Sequence, residues 1–472
     1  MKRRDFLNFG MIATVGGTIA SSTIVGCTSK EEKKSQGKTK NIIFMVSDGM
    51  SSGTLNMADL LLQRKEGHGS HWLGLYRDDK GKRALMDTAS ADSMVTDSAA
   101  GSSSWGGGFR VNNGSLNVGP DGTRHKPILQ KFKEAGKSVG CVTTVPITHA
   151  TPAGFCINAK SRGDQAAIAE LYLPLQFDVM LGGGKEYFSQ EKRKDGKDLF
   201  SDFSSKGYSV VQTKDEMKSA SGDKPLLGVF YEDGLPYSLD QKEDNELIDK
   251  IPTLAEMSQK AIDHLSQNTN GFVLQIEGGK VDWGAHANDV GALLYDQIAF
   301  DEAVGVALAF AEKRDDTLVV ITTDHGNANP GLIKSKNVDA KFDLIQGFKY
   351  TNEWVLNNIS KNDSISRLIE QINFAQGYTI SNDEAREILS HYTDLENEGI
   401  YNAYKLPYER LAQIQQNYTS VGWSGMNHSA DFVELTMFGQ GSELLKPFVK
   451  NIDLHYLMLQ AAGIEVAAAS NM

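Results

Sequence analysis

Seven short runs of nearly continuous apolar residues punctuate the chain, at 41–46, 137–145, 177–181, 226–230, 271–276, 316–322 and 431–438. Each is bounded by glycine or polar residues, and short apolar runs without alternation predict strands buried on both faces. Between them lie amphipathic stretches at 127–135, 253–265, 287–313 and 447–462, with apolar residues three and four apart, which predict helices. Alternation of this kind predicts an α/β fold, a mostly parallel central sheet flanked by helices on both faces. Residues 331–424 break the pattern: SRLIEQINF, DEAREILSHY and PYERLAQIQQ are polar, helical in period and poor in strand formers. They predict a helical cap inserted into a catalytic α/β domain made of residues 41–330 and 425–472. The sequence has no internal repeat.

The first 27 residues read as an address, not as structure. Lys2-Arg3-Arg4-Asp5-Phe6-Leu7 precedes a weakly apolar stretch over 9–26 that contains Gly10, Gly16, Gly17 and Gly26, short and soft for a membrane span. This is the pattern of a twin-arginine export signal. Ile24-Val25-Gly26-Cys27 looks like a lipobox, so Cys27 is the expected lipidation site, and TSKEEKKSQGKTK over 28–40 is an expected flexible tether. The expectation is an exported protein, periplasmic or cell-surface, touching membrane only through a lipid anchor. The other two of the 3 cysteines, Cys141 and Cys156, lie in apolar runs and read as buried free thiols.

Composition narrows the function. A net charge of −12 with no basic patch after the N-terminus excludes nucleic acid as a specific partner. The 46 glycines in 472 residues favour tight loops and a loop-built site. Open α/β sheets bind ligands at the carboxyl ends of their strands, and several metal-ligand side chains fall there: Asp48, Glu277, Asp324 and His325 after three predicted strands, Asp282 and His286 in a loop, and His428 just before the last strand. One such Asp is ordinarily a cap and one such His a surface group. Four carboxylates and three imidazoles converging at one edge repel one another unless cations neutralise them. Mixed Asp/His ligation without thiolate points to zinc, and an all-oxygen portion to magnesium. The candidate nucleophile is Ser98 in VTDSAAG, at a predicted helix start where backbone N–H groups face an anion. A Ser there is ordinarily the N-cap. A bound divalent cation would instead favour its alkoxide.

VTDSAAGSSSWGGG, THATPAGF followed by SRGDQ, FVLQIEGGKVDWGAHAND, LVVITTDHGN and NHSADFVELTMFGQG, in that order, resemble the metal-dependent alkaline phosphatases with a serine nucleophile. The resemblance runs from about residue 41 to the C-terminus, apart from 331–424. It implies hydrolysis of a broad range of small phosphate monoesters through phosphoserine at Ser98. It implies one zinc on Asp282, His286 and His428, a second on Asp48, Asp324, His325 and Ser98, and magnesium on Asp48, Thr151 and Glu277. Arg162 would clamp the phosphate, and the family is commonly a homodimer. Where the best-known enteric members carry an acidic residue and a Lys, this chain has His149 and Trp283, which look like an alternative bacterial subgroup whose third site could take Co²⁺. The rivals are phosphodiesterase relatives, which usually lack the third-site Glu, and a non-catalytic phosphate- or metal-binding lipoprotein on the same scaffold. Sulfatases need Pro and Arg where this chain has Ala100 and Ser102. Gly182-Gly183-Gly184-Lys185 is no P-loop, since Val179 and Glu186 occupy the required Gly and Ser/Thr positions.

Overall fold

Ten strands form one sheet: β1 (Asn41–Ser47), β2 (Lys82–Asp87), β3 (Ser138–Pro146), β4 (Val179–Gly183), β5 (Ser209–Val211), β6 (Leu226–Val229), β7 (Phe272–Gly278), β8 (Thr317–Thr322), β9 (Val433–Gly439) and β10 (Phe448–Lys450). The computed structural model describes residues 39–392 and 405–465, so the export leader, Cys27 and nearly all of the tether lie outside the described residues. Across the sheet the order is β10-β2-β9-β8-β1-β7-β3-β4-β6-β5. Every neighbouring pair is parallel except the two made by β9, which runs antiparallel to β8 and β2. The α/β class read from the sequence is the fold observed, and all seven expected strands are present within two residues at either end.

The central strand explains the uninterrupted apolar runs. Ile43 and Met45 of β1 point into one hydrophobic cluster and Ile42, Phe44 and Val46 into a second on the other face. The first cluster packs helices Ser52–Glu66, Leu254–Leu265 and Val290–Ala311 onto the sheet. The second packs Ser98–Gly107, Ile128–Glu134, Ala150–Cys156 and Asp453–Ala461. With helices on both faces neither side of β1 alternates. Three strands escaped the pattern. In β2 only Ala84 and Met86 are buried, β5 has three residues, and β10 begins the stretch 447–462 expected as one helix. There Phe448 is exposed and Val449 buried before the helix starts at Asp453.

Residues 331–424 carry helices Val338–Asp343, Asn352–Asn357, Ile365–Gln376, Asn382–Ser390 and Tyr408–Thr419. Their Phe342, Val355, Ile372, Ile388 and Leu411, with Ile345 of the turn between the first two, belong to the same cluster as Ile43 and Met45. Among its described residues the segment therefore has no separate core. Its ends are joined by a two-residue antiparallel ladder, Gly331 opposite Gly422 and Leu332 opposite Val421. Cys141 and Cys156 are buried free thiols, as expected, with Sγ atoms 3.4 Å apart. Among the described residues no helix is long and apolar enough to cross a membrane.

Candidate active site

Parallel pairing of β1 with β7 and β8 sets Val46 opposite both Glu277 and Thr322, which brings Asp48, Glu277 and Asp324 to one edge of the sheet. Asp48, Glu277 and Asp324 are fully buried and Asp282 nearly so. The turn after β1 is tight enough that a Cβ on Gly49, at φ +67°, would meet Asp282 Oδ1 at 2.4 Å. Only glycine fits there. Gly49 N–H also donates to Asp324 Oδ1 at 3.0 Å, tying two of the carboxylate turns together.

Asp282 and His286, expected on a loop, lie on the helix Lys280–His286 that follows β7. Four residues apart, they share a face of that helix. His428, from the short strand His428–Ser429 paired with Gly326–Asn327, joins them. His286 Nδ1 donates to Met426 O at 2.7 Å and His428 Nδ1 to Thr96 O at 2.9 Å. Those bonds fix both tautomers, so each Nε2 presents a lone pair. The two Nε2 atoms face each other at 3.0 Å, with Asp282 carboxylate oxygens 3.5 and 3.6 Å away. Facing lone pairs repel, and a cation between them reverses the sign. Asn327 holds Asp282 Oδ1 at 2.7 Å.

A second donor set surrounds His325, whose Nδ1 contacts Gly326 O at 3.3 Å. Its Nε2 lies 3.2 Å from Asp324 Oδ2, 3.5 Å from Asp48 Oδ1 and 3.4 Å from Ser98 Oγ. Asp48 Oδ1 and Asp324 Oδ2 are buried without a hydrogen-bond partner. A third set consists of Asp48, Glu277 and His149, with ligand atoms all within 4.8 Å of one another. Thr151 Oγ1 donates to Asp48 Oδ2 at 3.2 Å, Thr143 Oγ1 to Glu277 Oε2 at 2.5 Å, and Glu277 Oε1 is left buried and unpartnered. His149, expected as a neighbour of this set, stands in it. The three groups of N and O donors, with orphaned oxygens in two of them, fit metal ions.

Charge crowding shows in the acidities. Burial first, then Asp324, Asp282 and Glu277, push the Asp48 carboxyl well above its usual range. Burial takes Glu277 up to about 7. Burial opposes ionisation of Asp282 too, but His286, His325 and His428 hold it below the usual carboxylate value. Burial and the adjacent Arg162 hold the His149 ring neutral, down to about 3.

Ser98 is the first residue of the helix Ser98–Gly107 and is not its cap. Asp97 takes that role, accepting from Ala100 N at 2.9 Å, which leaves Ser98 Oγ facing His325. Apart from Trp105 the helix consists of small residues because it is closely packed: a Cβ on Gly106 would meet Gly154 O at 2.0 Å, and one on Gly154 would meet Ser102 Oγ at 2.0 Å. Arg162 donates through Nη1 to Asp97 Oδ2 and through Nη2 to His149 Nε2, each at 3.0 Å. Trp283 stands edge-on to His149, ring centres 6.4 Å apart. The sequence reading missed Asp97, Thr143 and Asn327. Asp97 and Asn327 sit inside the quoted VTDSAAG and TTDHGN segments, whereas nothing local marks Thr143.

Comparison with known proteins gives a consistent result. The sequence profile described as Alkaline phosphatase matches residues 39–464. The chain is 31% identical over 438 residues to alkaline phosphatase 4 of Bacillus subtilis, covering 90% of each protein, and 31% identical over 352 residues to alkaline phosphatase of Escherichia coli, covering 63% of this chain and 74% of that one. Among solved structures it is similar to the Thermus thermophilus alkaline phosphatase, with a TM-score of 0.83, 32% identity and 91% and 93% of the two chains covered. The cold-active enzyme of a Shewanella species gives 0.77 at 26% identity, with 89% and 99% covered. With the fold, the clustered acidic and imidazole donors and near-full-length matches in agreement, the chain belongs to the alkaline phosphatase family and is a phosphate-monoester hydrolase.

Proposed function

We propose that this enzyme cleaves phosphate monoesters in two steps through a phosphoserine at Ser98, with two zinc ions and one magnesium ion as cofactors. The observation that carries the reading is the placement of Ser98 Oγ 3.4 Å from His325 Nε2, among four buried carboxylates and three imidazoles at one sheet edge. Asp282, His286 and His428 would hold the first zinc, Asp48, Asp324, His325 and Ser98 the second, and Asp48, Thr151 and Glu277 the magnesium, with His149 beside it. When bound, such ions supply Lewis acidity and offset the charge of the attacking and leaving oxygens.

Ser98 Oγ attacks phosphorus as the P–O bond to the alcohol breaks, and water then attacks the phosphoserine and returns Ser98. Asp97 caps the helix that presents Ser98 and also fixes one side of the Arg162 guanidinium. Arg162 offers a planar fork to two non-bridging phosphate oxygens, a geometry Lys lacks. Thr151 and Thr143 hold the Asp48 and Glu277 carboxylates in orientation. Such a site grips the phosphoryl group, so broad specificity toward the alcohol is expected. The twin-arginine pattern, the lipobox at Cys27 and the family resemblance support an exported, lipid-anchored homodimer. Mass spectrometry of the mature N-terminus and sedimentation test those two points.

The decisive experiment is phosphate trapping on Ser98, developed in the Discussion. Two further outcomes follow from the third site and the cap. His149→Asp and Trp283→Lys together should tighten Mg²⁺ and phosphate binding and slow turnover. His149 offers a neutral nitrogen better matched to Co²⁺ or zinc than to magnesium, and Trp283 brings no cation to phosphate. Unchanged metal affinity and phosphate inhibition in both single variants and the double would refute this. Shortening the outer helices Ile365–Gln376 and Asn382–Ser390 should lower thermal stability, because Leu368, Ile372 and Ile388 are buried against the shared core. It should alter substrate preference more than kcat on a small aryl phosphate, and total loss of that reaction in a folded variant would rule out a cap role.

A further inference from the structure

His149 has two claimants for a single lone pair. A neutral imidazole carries one N–H and one unprotonated nitrogen, and a guanidinium can only donate. The Arg162 Nη2 contact to His149 Nε2 at 3.0 Å therefore requires the Nε2 lone pair and leaves the proton on Nδ1, which is buried and has no partner. The same ring stands in the donor set with Asp48 and Glu277. A cation taken through Nε2 would use the lone pair that Arg162 occupies. One taken through Nδ1 would move the proton to Nε2, where it meets the Arg162 N–H head-on. Either way the ring serves Arg162 or the cation, not both, and no proton is gained or lost by the protein.

We propose that the third-site cation and the resting Arg162 contact compete for His149, so that filling the third site releases Arg162 Nη2 toward the phosphate position. The second hydrogen bond, from Nη1 to Asp97 Oδ2, is unaffected by this exchange. It keeps the guanidinium at the start of the Ser98 helix while its free edge turns. The inference rests on the reading of Arg162 as the phosphate clamp, and it supplies that clamp with a regulator: the third cation readies the site for its anion. Linkage is reciprocal, so bound phosphate must tighten the cation by the factor by which the cation tightens phosphate.

The test uses zinc-saturated full-length protein and calorimetric titration with Mg²⁺ and Co²⁺, with and without inorganic phosphate. In the wild type, phosphate should tighten the third-site cation about three- to tenfold, the order of one ordinary net hydrogen bond. Simple charge attraction contributes to that figure, so the competition is isolated by a double-mutant cycle. Arg162→Met should raise cation affinity in the wild type by removing both a positive charge and the rival for the lone pair, but in His149→Ala only by removing the charge. An increment about threefold larger in the His149 background is the expected result, and equal increments overturn the proposal. In a His149→Asp background, whose two oxygens can serve both partners, the increment should match that of His149→Ala. Nitrogen-15 spectra of the wild-type histidines give a check that needs no variant: cation binding must either protonate His149 Nε2 or ligate it, and an unchanged His149 spectrum with the third site filled overturns the proposal. Hydrolysis of an aryl phosphate is followed on the same preparations. Activity with equal increments removes only the competition, whereas absence of hydrolysis in the zinc-loaded wild type removes the underlying reading.

Discussion

Incubation with labelled phosphate at mildly acid pH should leave label on the peptide that contains Ser98 and on no other. Among the described residues Ser98 Oγ is the hydroxyl bonded to His325 Nε2 at the edge where Asp48 and Asp324 converge, and Asp97 has relieved it of the capping role. Ser98→Ala should abolish the label and lower kcat by at least about a thousandfold, about 4 kcal/mol of barrier at 1.36 kcal/mol per decade. Two in-line displacements retain configuration at phosphorus. Inversion, or label on a different residue, would mean that water attacks the ester directly and that Ser98 has another purpose.

The second large effect concerns Asp282, His286 and His428. Asp282→Asn, His286→Ala or His428→Ala should each lose one zinc per chain and several orders of magnitude in activity, since a lost Lewis acid forfeits several kcal/mol of transition-state stabilisation. The fold should persist. His286 and His428 are partly exposed at the rim of the sheet, and their Nδ1 bonds reach only the backbone carbonyls of Met426 and Thr96. The metal-free His286→Ala and His428→Ala proteins should therefore remain folded by circular dichroism, although Asp282 loses one of the imidazoles that hold its carboxyl down. Two zinc ions retained in any of these variants, measured by elemental analysis, would show that the donor set is not the one inferred.

Strands of the middle of the sheet were legible because both faces are covered, so β1, β7 and β8 read as unbroken apolar runs. β2 carries exposed Lys82 and Arg83 beside buried Ala84, and β10 has a single buried residue. Neither supplies enough apolar positions to register a period. The ligand-type residues were legible for a related reason: chemistry gathers at strand ends, and strand ends follow apolar runs. The pairings among them were not. That Asp97 holds Arg162, that Thr143 secures Glu277 across β3 and β7, and that Arg162 leans on His149 are tertiary facts, set by sequence separations of 13 to 134 residues. The helix bearing Asp282 and His286 was mistaken for a loop because it has only seven residues, too few for an amphipathic stripe.

The two-residue ladder between Gly331–Leu332 and Val421–Gly422 bears on how such a protein diversifies. It closes the segment at its base, and a Cβ on Gly53 would meet Pro330 O at 1.8 Å, so the chain is pinned to the body immediately before the ladder. Whatever lies between residues 332 and 421 is thus hung from a clasp whose two halves are already bonded to each other. Changes in that segment away from the residues that pack into the shared core, such as Phe342, Val355 and Leu411, leave the spacing of Asp324, His325 and His428 to the clasp. Descendants of this sequence can therefore vary that outer surface by rewriting one contiguous stretch of gene, while the sheet edge that carries Asp324 and His325 keeps its frame.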